Sequence, residues 1–411
     1  NKQIDSAFNA KTDMKVFSWN AKSELDTILS PKDSIKYYKS FLRSGLLSIE
    51  PQTGQIKAWV GGINHKYFKY DHVEQGKRQV GSTFKPFVYA TAINQLGLSP
   101  CEKFPNTPYT IPKGRFGIPE AWTPRNSGDK YGGEITLKDA LAKSVNVISA
   151  RLIDMVTPSN VVRLAKSSGI ESRIPNAPSI ALGSVELSLM EMTGAYATFA
   201  NKGLRVAPNM LMRIEDKNGT VLADFTPRTK EVLSEESAFV VLELLKGVTT
   251  AGSGVRLRTS EHYYKDIITG FPYKFTNPIA GKTGTAQMAN AKYGYSYESK
   301  VSHQASFCGY FPSDNPKYTC IVVVNAPSRN VYYGNLVAGP IFKEIADKVY
   351  ASSVGIHSQL TETISSSKIR IPVSKNGALT DIIAVFNEIG VKNTVNTEAE
   401  FVSSKTGPTN V

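Results

Sequence analysis

In the run Val80-Gly81-Ser82-Thr83-Phe84-Lys85-Pro86, Ser82 and Lys85 set a hydroxyl and an amine three positions apart. Side chains at that spacing share one face of a helix, so a helix starting here brings the two groups together. A serine hydroxyl is a weak nucleophile until a neighbouring base takes its proton. A lysine can be that base when burial or a second cation lowers its pKa. Gly81 permits a tight entry turn, and Pro86 is tolerated only in a first helical turn. Ser82 is therefore expected at a helix start, where unpartnered backbone N–H groups favour developing negative charge. The chemistry indicated is nucleophilic catalysis by an activated serine.

The pattern alone is weak, because Ser-x-x-Lys recurs at Ser127/Lys130 and Ser365/Lys368. The first of these lies in a polar stretch with Gly128 and Asp129, the second in a Ser/Thr-rich segment. Both read as solvated surface pairs. At Ser82 the apolar residues Phe84, Phe87, Val88 and Ala92 recur at helical spacing, which favours a packed helix and a catalytic hydroxyl over a simple cap. Two more motifs follow, Ser144-Val145-Asn146 and Lys282-Thr283-Gly284. Ser-x-Asn also occurs at Ser18, Ser313, Ser328 and Ser374, and Lys-Thr-Gly at Lys405. Context separates them. Ser144 lies in a helical pattern opened by the capping pair Thr136 and Asp139, and Lys282 ends a short apolar approach on a strand of small residues.

With all three motifs in hand, the chain resembles the penicillin-binding protein transpeptidases, serine acyl-transferases that cross-link peptidoglycan and are trapped by β-lactams. The likeness extends from about residue 40 to about residue 350. It includes residues 182–203, where Ser188 and Glu191 form a capping box, Met192, Ala195, Tyr196 and Phe199 line one helical face, and Gly203 is a stop. The resemblance implies an α+β fold: a central antiparallel sheet of about five strands covered by helices on both faces, with the site at the sheet's edge. It implies that Ser82 attacks the penultimate D-alanine carbonyl of a stem peptide and that Lys85 is the general base. Ser144 would relay a proton to the leaving group, and Asn146 would hold Lys85 and the substrate amide. Lys282 would supply positive charge, Thr283 and Thr285 would bind the terminal carboxylate beside Gly284, and the N–H groups of Ser82 and Thr285 would form the oxyanion hole. No cofactor and no metal are implied. The partners implied are stem peptides, β-lactams and other cell-wall synthesis proteins. The implied location is extracytoplasmic, at the periplasmic face of a bacterial inner membrane, through an N-terminal anchor outside this chain.

Composition is compatible with that reading. The chain of 411 residues is 41% hydrophobic, enough for a sizeable core, and carries a net charge of +13. Such a charge suits an anionic wall or membrane surface, and no nucleic-acid recognition motif accompanies it. Cys101, Cys308 and Cys320 cannot all pair within the chain; Cys308 and Cys320 fall on adjacent expected strands, where buried free thiols are favoured over a disulfide. No Cys/His spacing suggests a metal, and the lack of a Gly-x-Ser-x-Gly elbow argues against a Ser-His-Asp hydrolase. No apolar run is long enough to span a membrane.

Residues 1–40 are polar and read as an irregular linker. Residues 41–352 form the transpeptidase domain, opening with a hairpin at 42–50 and 55–60. After Ser82 a Pro/Gly-rich excursion, 99–133, reads as a long loop, and helices run to about 250. Residues 353–367 read as a second linker. Residues 368–411 read as a small module with a strand at 369–373 and a helix at 379–389, similar to the PASTA repeat appended to some of these enzymes. Residues 1–284 resemble the bifunctional class of the family, through Tyr70-Asp71-His72-Val73 and Lys77-Arg78-Gln79-Val80. Residues 286–411 resemble the monofunctional, division-type class, through Ser302-His303-Gln304-Ala305-Ser306-Phe307 and Asp314-Asn315-Pro316. Loose alternation after that seam predicts imperfect packing of the last strands.

The three motifs are shared by DD-carboxypeptidases and β-lactamases, the enzymatic alternatives. A serine β-lactamase needs a base for deacylating water, and the Glu-x-x-Leu-Asn pattern is missing from 160–185, where Glu171 precedes Ser-Arg-Ile-Pro. A non-catalytic β-lactam sensor or wall-binding scaffold is the alternative from another class; intact Ser82, Lys85, Ser144, Asn146 and Lys282 argue against it.

Overall fold

Branched and aromatic residues at 303–311 and 318–324 favour strands, and these strands lie within the central sheet. The structure is a computed structural model that describes residues 2–258, 277–288, 300–327, 331–352, 376–388 and 390, with short strands at 264–265, 272–273, 296–297 and 401–403. The chain opens with α1 (Lys2–Asn9), β1 (Thr12–Phe17), β2 (Glu24–Leu29) and α2 (Pro31–Ser40). β3 (Arg43–Ile49) and β4 (Ile56–Val60) form the expected hairpin. Next come α3 (Lys85–Leu96), α4 (Leu137–Ala142), α5 (Asn146–Val156), α6 (Pro158–Ser167), α7 (Leu189–Ala200) and α8 (Glu235–Thr250). The sheet then resumes with β5 (Ala280–Met288), β6 (Lys300–Phe311) and β7 (Tyr318–Asn325), and α9 (Ala338–Ser352) follows.

The strand order is β5-β6-β7-β3-β4, antiparallel throughout, with Ser296–Tyr297 paired on β6. This is the expected α+β architecture, and it leaves β5, the strand of Lys282, at an edge. Alternation assigns the two faces. Cys308, Tyr310, Ile321 and Val323 join the larger core with Phe84, Phe87, Tyr196 and Leu244 from the helices. Phe307, Phe311, Cys320 and Val322 pack on the other face against Phe342, Ala346 and Tyr350 of α9. Cys308 pairs with Ile321 and Cys320 with Gly309, so the two thiols point to opposite faces, and all three cysteines are free. Beyond residue 285, β5 and β6 pair from Ala280↔Tyr310 to Met288↔Ser302 with no shift of register.

The segment expected as an irregular linker at 1–40 corrects the sequence reading, for residues 2–40 fold into two helices and a hairpin. Ser30 caps α2 by accepting from Asp33 N at 3.1 Å, with Pro31 in the first turn. The unit is held by aromatic rings. Phe17 is buried and meets Trp19, Phe41, Tyr67 and Phe68 at centroid distances of 5.0–6.0 Å. Rings from such distant positions form a core that local polarity hides.

The excursion 99–133 is mostly loop, as expected, with one short strand, Lys103–Pro105, paired to Glu134–Thr136. In the C-terminal segment Leu379–Glu388 is helical, and Asn376–Ala378 pairs with Phe401–Ser403. The linker at 353–367 and the strand expected at 369–373 lie outside the described residues.

Candidate active site

The serine turn is built by close backbone approach. Ser82 sits in a 3₁₀ turn, Gly81–Phe84, and the α-helix proper begins at Lys85 with Pro86 in its first turn. In a 3₁₀ turn residues three apart eclipse, so Ser82 and Lys85 still share a side, as their spacing requires. Gly81 (φ +56°) and Gly183 (φ +77°) face each other: Gly81 N donates to Gly183 O at 3.1 Å, and a Cβ on Gly183 would overlap the Gly81 carbonyl. On the inner side the Tyr196 hydroxyl donates to Thr83 O at 2.5 Å.

Ser144 departs from the expected helical setting. α4 ends at Ala142 and α5 begins at Asn146, and Ser144 between them has φ +59°. Such a backbone is costly for a non-glycine residue and persists only where its surroundings impose it. Here Ser144 N donates to Leu141 O at 3.1 Å and Val145 N to Ala140 O at 2.9 Å, turning the chain and aiming Ser144 at two lysines.

Both lysines are fully buried, at 0% exposure. The Lys85 amine contacts Ser144 O (2.6 Å), Asn146 Oδ1 (2.6 Å) and Ser144 Oγ (3.2 Å). Lys282 donates to Ser144 Oγ at 2.9 Å and to Thr283 O at 3.1 Å. Neither amine has a carboxylate partner among the described residues. Burial, and then the charge of Lys282, hold the Lys85 pKa well below its ordinary value, and burial brings Lys282 to about 7. The carbonyl of Ser144 and Oδ1 of Asn146 can only accept, so they take two N–H bonds of Lys85. A neutral Lys85 therefore has its lone pair left over, directed away from those two acceptors.

The structure thus brings Lys85, Ser144, Asn146 and Lys282 into one hydrogen-bonded group. Ser82, whose backbone carbonyl accepts from Lys85 N–H, is partly exposed, and its hydroxyl makes no hydrogen bond among the described residues. Thr283 is 8% exposed, and its hydroxyl shares a hydrogen bond of 2.7 Å with Ser253. Thr285 Oγ1 accepts from Gly334 N at 3.3 Å. A Cβ on Gly81 would lie 2.9 Å from Thr285 O, so that carbonyl points away from β6, toward the serine turn. A strand residue directs its N–H and C=O the same way, so the Thr285 N–H also faces the turn. Gly284 lets the strand come this near: a Cβ there would collide with Ser306 Oγ and lie 2.8 Å from Thr83 Cγ2.

Sequence reasoning missed three contributors. Asn126, buried in the excursion loop, accepts from Asn146 N (3.0 Å) and Val147 N (3.1 Å), capping α5 from outside the helix. Its own amide is fixed by Asn106 Oδ1 and Lys130 O, each at 2.9 Å. Nothing in the sequence separates Asn126 from other loop asparagines. Gly183 and Ser253 are the others, and the small-residue run Gly252-Ser253-Gly254 was the only sign of a close approach.

Residues 45–347 match the family described as the penicillin binding protein transpeptidase domain, and residues 1–42 match the penicillin-binding protein middle domain. Penicillin-binding protein 1A of Rickettsia felis is 33% identical over 286 residues, 67% of this chain and 35% of that protein. The chain spans about a third of the length of the curated relatives it matches. Among solved structures, penicillin-binding protein 1A from Haemophilus influenzae superposes with a TM-score of 0.61 at 22% identity, covering 75% of this chain and 48% of that one. Penicillin-binding protein 3 from Mycobacterium tuberculosis, complexed with aztreonam, gives 0.60 at 20% identity, covering 75% and 72%. At these identities the structural matches establish the fold.

The cap predicts a measurable dependence of the site on the excursion loop. Asn126→Ala is expected to cost about 1–2 kcal/mol of stability, as loss of a helix cap does. It is also expected to slow acylation of the site by a β-lactam, because Asn146 loses its backbone anchor. Thermal unfolding and labelling rates, measured together, check both effects.

Proposed function

The chain belongs to the penicillin-binding protein transpeptidase family, and from that premise we propose that it is a serine DD-transpeptidase that cross-links peptidoglycan stem peptides and is acylated by β-lactams. The observation that carries the reading is the Ser144 hydroxyl held by two buried amines, Lys85 and Lys282, with no acid tied to either among the described residues. In this reading Ser82 attacks the penultimate D-alanine carbonyl and passes its proton to Lys85. The N–H groups of Ser82 and Thr285 receive the oxyanion. Ser144, bonded to both amines, hands a proton to the departing D-alanine nitrogen. Lys282, Thr283 and Thr285 hold the terminal carboxylate, and Asn146 orients Lys85 with one end of its amide. Its Nδ2 donates to Arg125 O at 2.7 Å and retains a second N–H for the substrate. An acceptor amine then reverses these steps, and water in its place gives the carboxypeptidase outcome.

The rest of the reading concerns setting. We place the acylating unit at 41–352, with 368–411 as a separate small module, so a chain ending at residue 352 is expected to fold and bind penicillin. Loss of labelling in that truncation would put the module inside the catalytic unit. No helix among the described residues is long and apolar enough to cross a membrane. An extracytoplasmic location and an N-terminal membrane anchor are part of the proposal, supported by the net charge of +13 and by the family.

Two outcomes test the chemistry. Intact-protein mass spectrometry after a penicillin pulse should find one adduct that persists for many minutes, absent in Ser82→Ala and retained in Ser127→Ala and Ser365→Ala. Rapid return to the unmodified mass would favour a β-lactamase instead. The second outcome is the pH profile. Acylation needs neutral Lys85, so the rate should fall as pH drops through that group's lowered pKa. It also needs cationic Lys282, so at low ligand concentration the rate should fall as pH rises through about 7. A bound carboxylate stabilises that cation, and saturating ligand should therefore move the upper limb to higher pH. Lys282→Arg, whose guanidinium stays charged, should abolish the upper limb.

A further inference from the structure

Ser253 occupies the turn after α8, and it joins the end of α4, just ahead of Ser144, to the Lys-Thr-Gly strand. Its backbone N–H donates to Ala142 O at 2.8 Å, two residues before Ser144. Its hydroxyl meets Thr283 Oγ1 at 2.7 Å, next to Lys282. Close packing fixes the turn, since a Cβ on Gly252 would overlap the Ala142 carbonyl and Gly254 N donates to Val248 O at 2.8 Å. The backbone tie therefore holds Ser253 in place whatever its side chain is.

Proton counting gives the hydroxyl pair a consequence. Ser253 and Thr283 carry two O–H protons between them, and their mutual hydrogen bond consumes one. The other is left for a third partner, since among the described residues the two hydroxyls bond only to each other. Thr283 also offers its backbone carbonyl to Lys282 at 3.1 Å, which ties this strand residue to the buried amine. When Ser253 donates to Thr283, the Thr283 proton is committed outward, to an incoming acceptor.

We propose that Ser253 is a positioning residue that orients the Thr283 hydroxyl as a donor and so selects ligands with an anionic group next to the scissile amide. The inference rests on the transpeptidase reading above, in which Thr283 and Lys282 receive a carboxylate. Ser253 touches Thr283 and the α4 end, and acts on the ligand through Thr283.

The test compares benzylpenicillin with its methyl ester, which lacks the carboxylate, on the full chain and on Ser253→Ala. For the acid, Ser253→Ala should weaken the apparent dissociation constant for the pre-acylation complex about 10-fold, the size of one hydrogen bond to a charged group. The maximal acylation rate should change less than about twofold, in keeping with loss of ground-state binding alone. For the ester neither constant should move, and Ser253→Thr should restore the acid to wild-type behaviour. Equal loss for acid and ester, or a loss confined to the maximal rate, would assign Ser253 a general structural role and overturn the proposal. So would no change for either ligand. Should Ser253→Ala fail to fold, Ser253→Cys, close in size and a weak donor, is read by the same comparison. Failure of the wild-type chain to form any Ser82 adduct with the acid would instead overturn the transpeptidase reading itself.

Discussion

One hydroxyl between two buried amines is the constraint on which the rest of the molecule depends. Lys85 and Lys282 are both wholly removed from water, and both meet Ser144 Oγ, at 3.2 and 2.9 Å. Two ammonium ions cannot be sheltered this way without acids, so the site resolves the conflict by holding fewer protons. Bringing Lys282 from its ordinary 10.5 to about 7 corresponds to on the order of 5 kcal/mol against its charged form. Between those two pH values the unfolded chain binds a proton that the folded chain does not. Stability therefore decreases as pH falls from 10.5 toward 7, and burial of this amine contributes no further loss below that. The same conflict that costs stability leaves a neutral amine near a serine, which catalysis requires.

The scaffold is arranged to hold that geometry from independent directions. Edge strand β5 brings Lys282, Thr283 and Thr285, and Gly284 and Gly81 allow it to approach the serine turn where larger residues would collide. α5 begins at Asn146 under the cap supplied by Asn126, and α3 begins at Lys85. Ser144 is left in a left-handed backbone between α4 and α5, and the two helices on either side fix it. α8 packs along β5, and the turn that follows it ties the end of α4 to Thr283 through Ser253. Displacing any one of these elements would separate groups that act only at hydrogen-bond distance.

Much of this was legible in the sequence because it is encoded locally. The Ser82/Lys85 spacing, the capping box of Ser188 and Glu191, and the hairpin of β3 and β4 all depend on residues close together in the chain. What was hidden depends on distant partners. The positive φ of Ser144 contradicts the helical pattern that leads to it, since only tertiary packing stops α4 at Ala142. Residues 1–40 looked irregular because the rings around Phe17 come from positions 19, 41, 67 and 68. Asn126 and Ser253 are unremarkable in a loop and a turn, and only the fold brings them against α5 and Thr283. The loose alternation in β6 and β7 has a simple physical origin, because a strand buried on both faces need not alternate.

The central claim, that two lysines are held at depressed pKa around Ser144, is tested most directly by observing their protons. Carbon-13 labelling of lysine Cε, with assignment by Lys85→Arg and Lys282→Arg, allows each amine to be titrated by NMR. The account predicts that two resonances titrate far below the remaining lysines, with the Lys282 midpoint near 7, and that replacing Lys282 by Met raises the Lys85 midpoint as the neighbouring charge disappears. A spectrum in which every lysine titrates together near 10.5, or in which Lys85 is indifferent to the loss of Lys282, would contradict it.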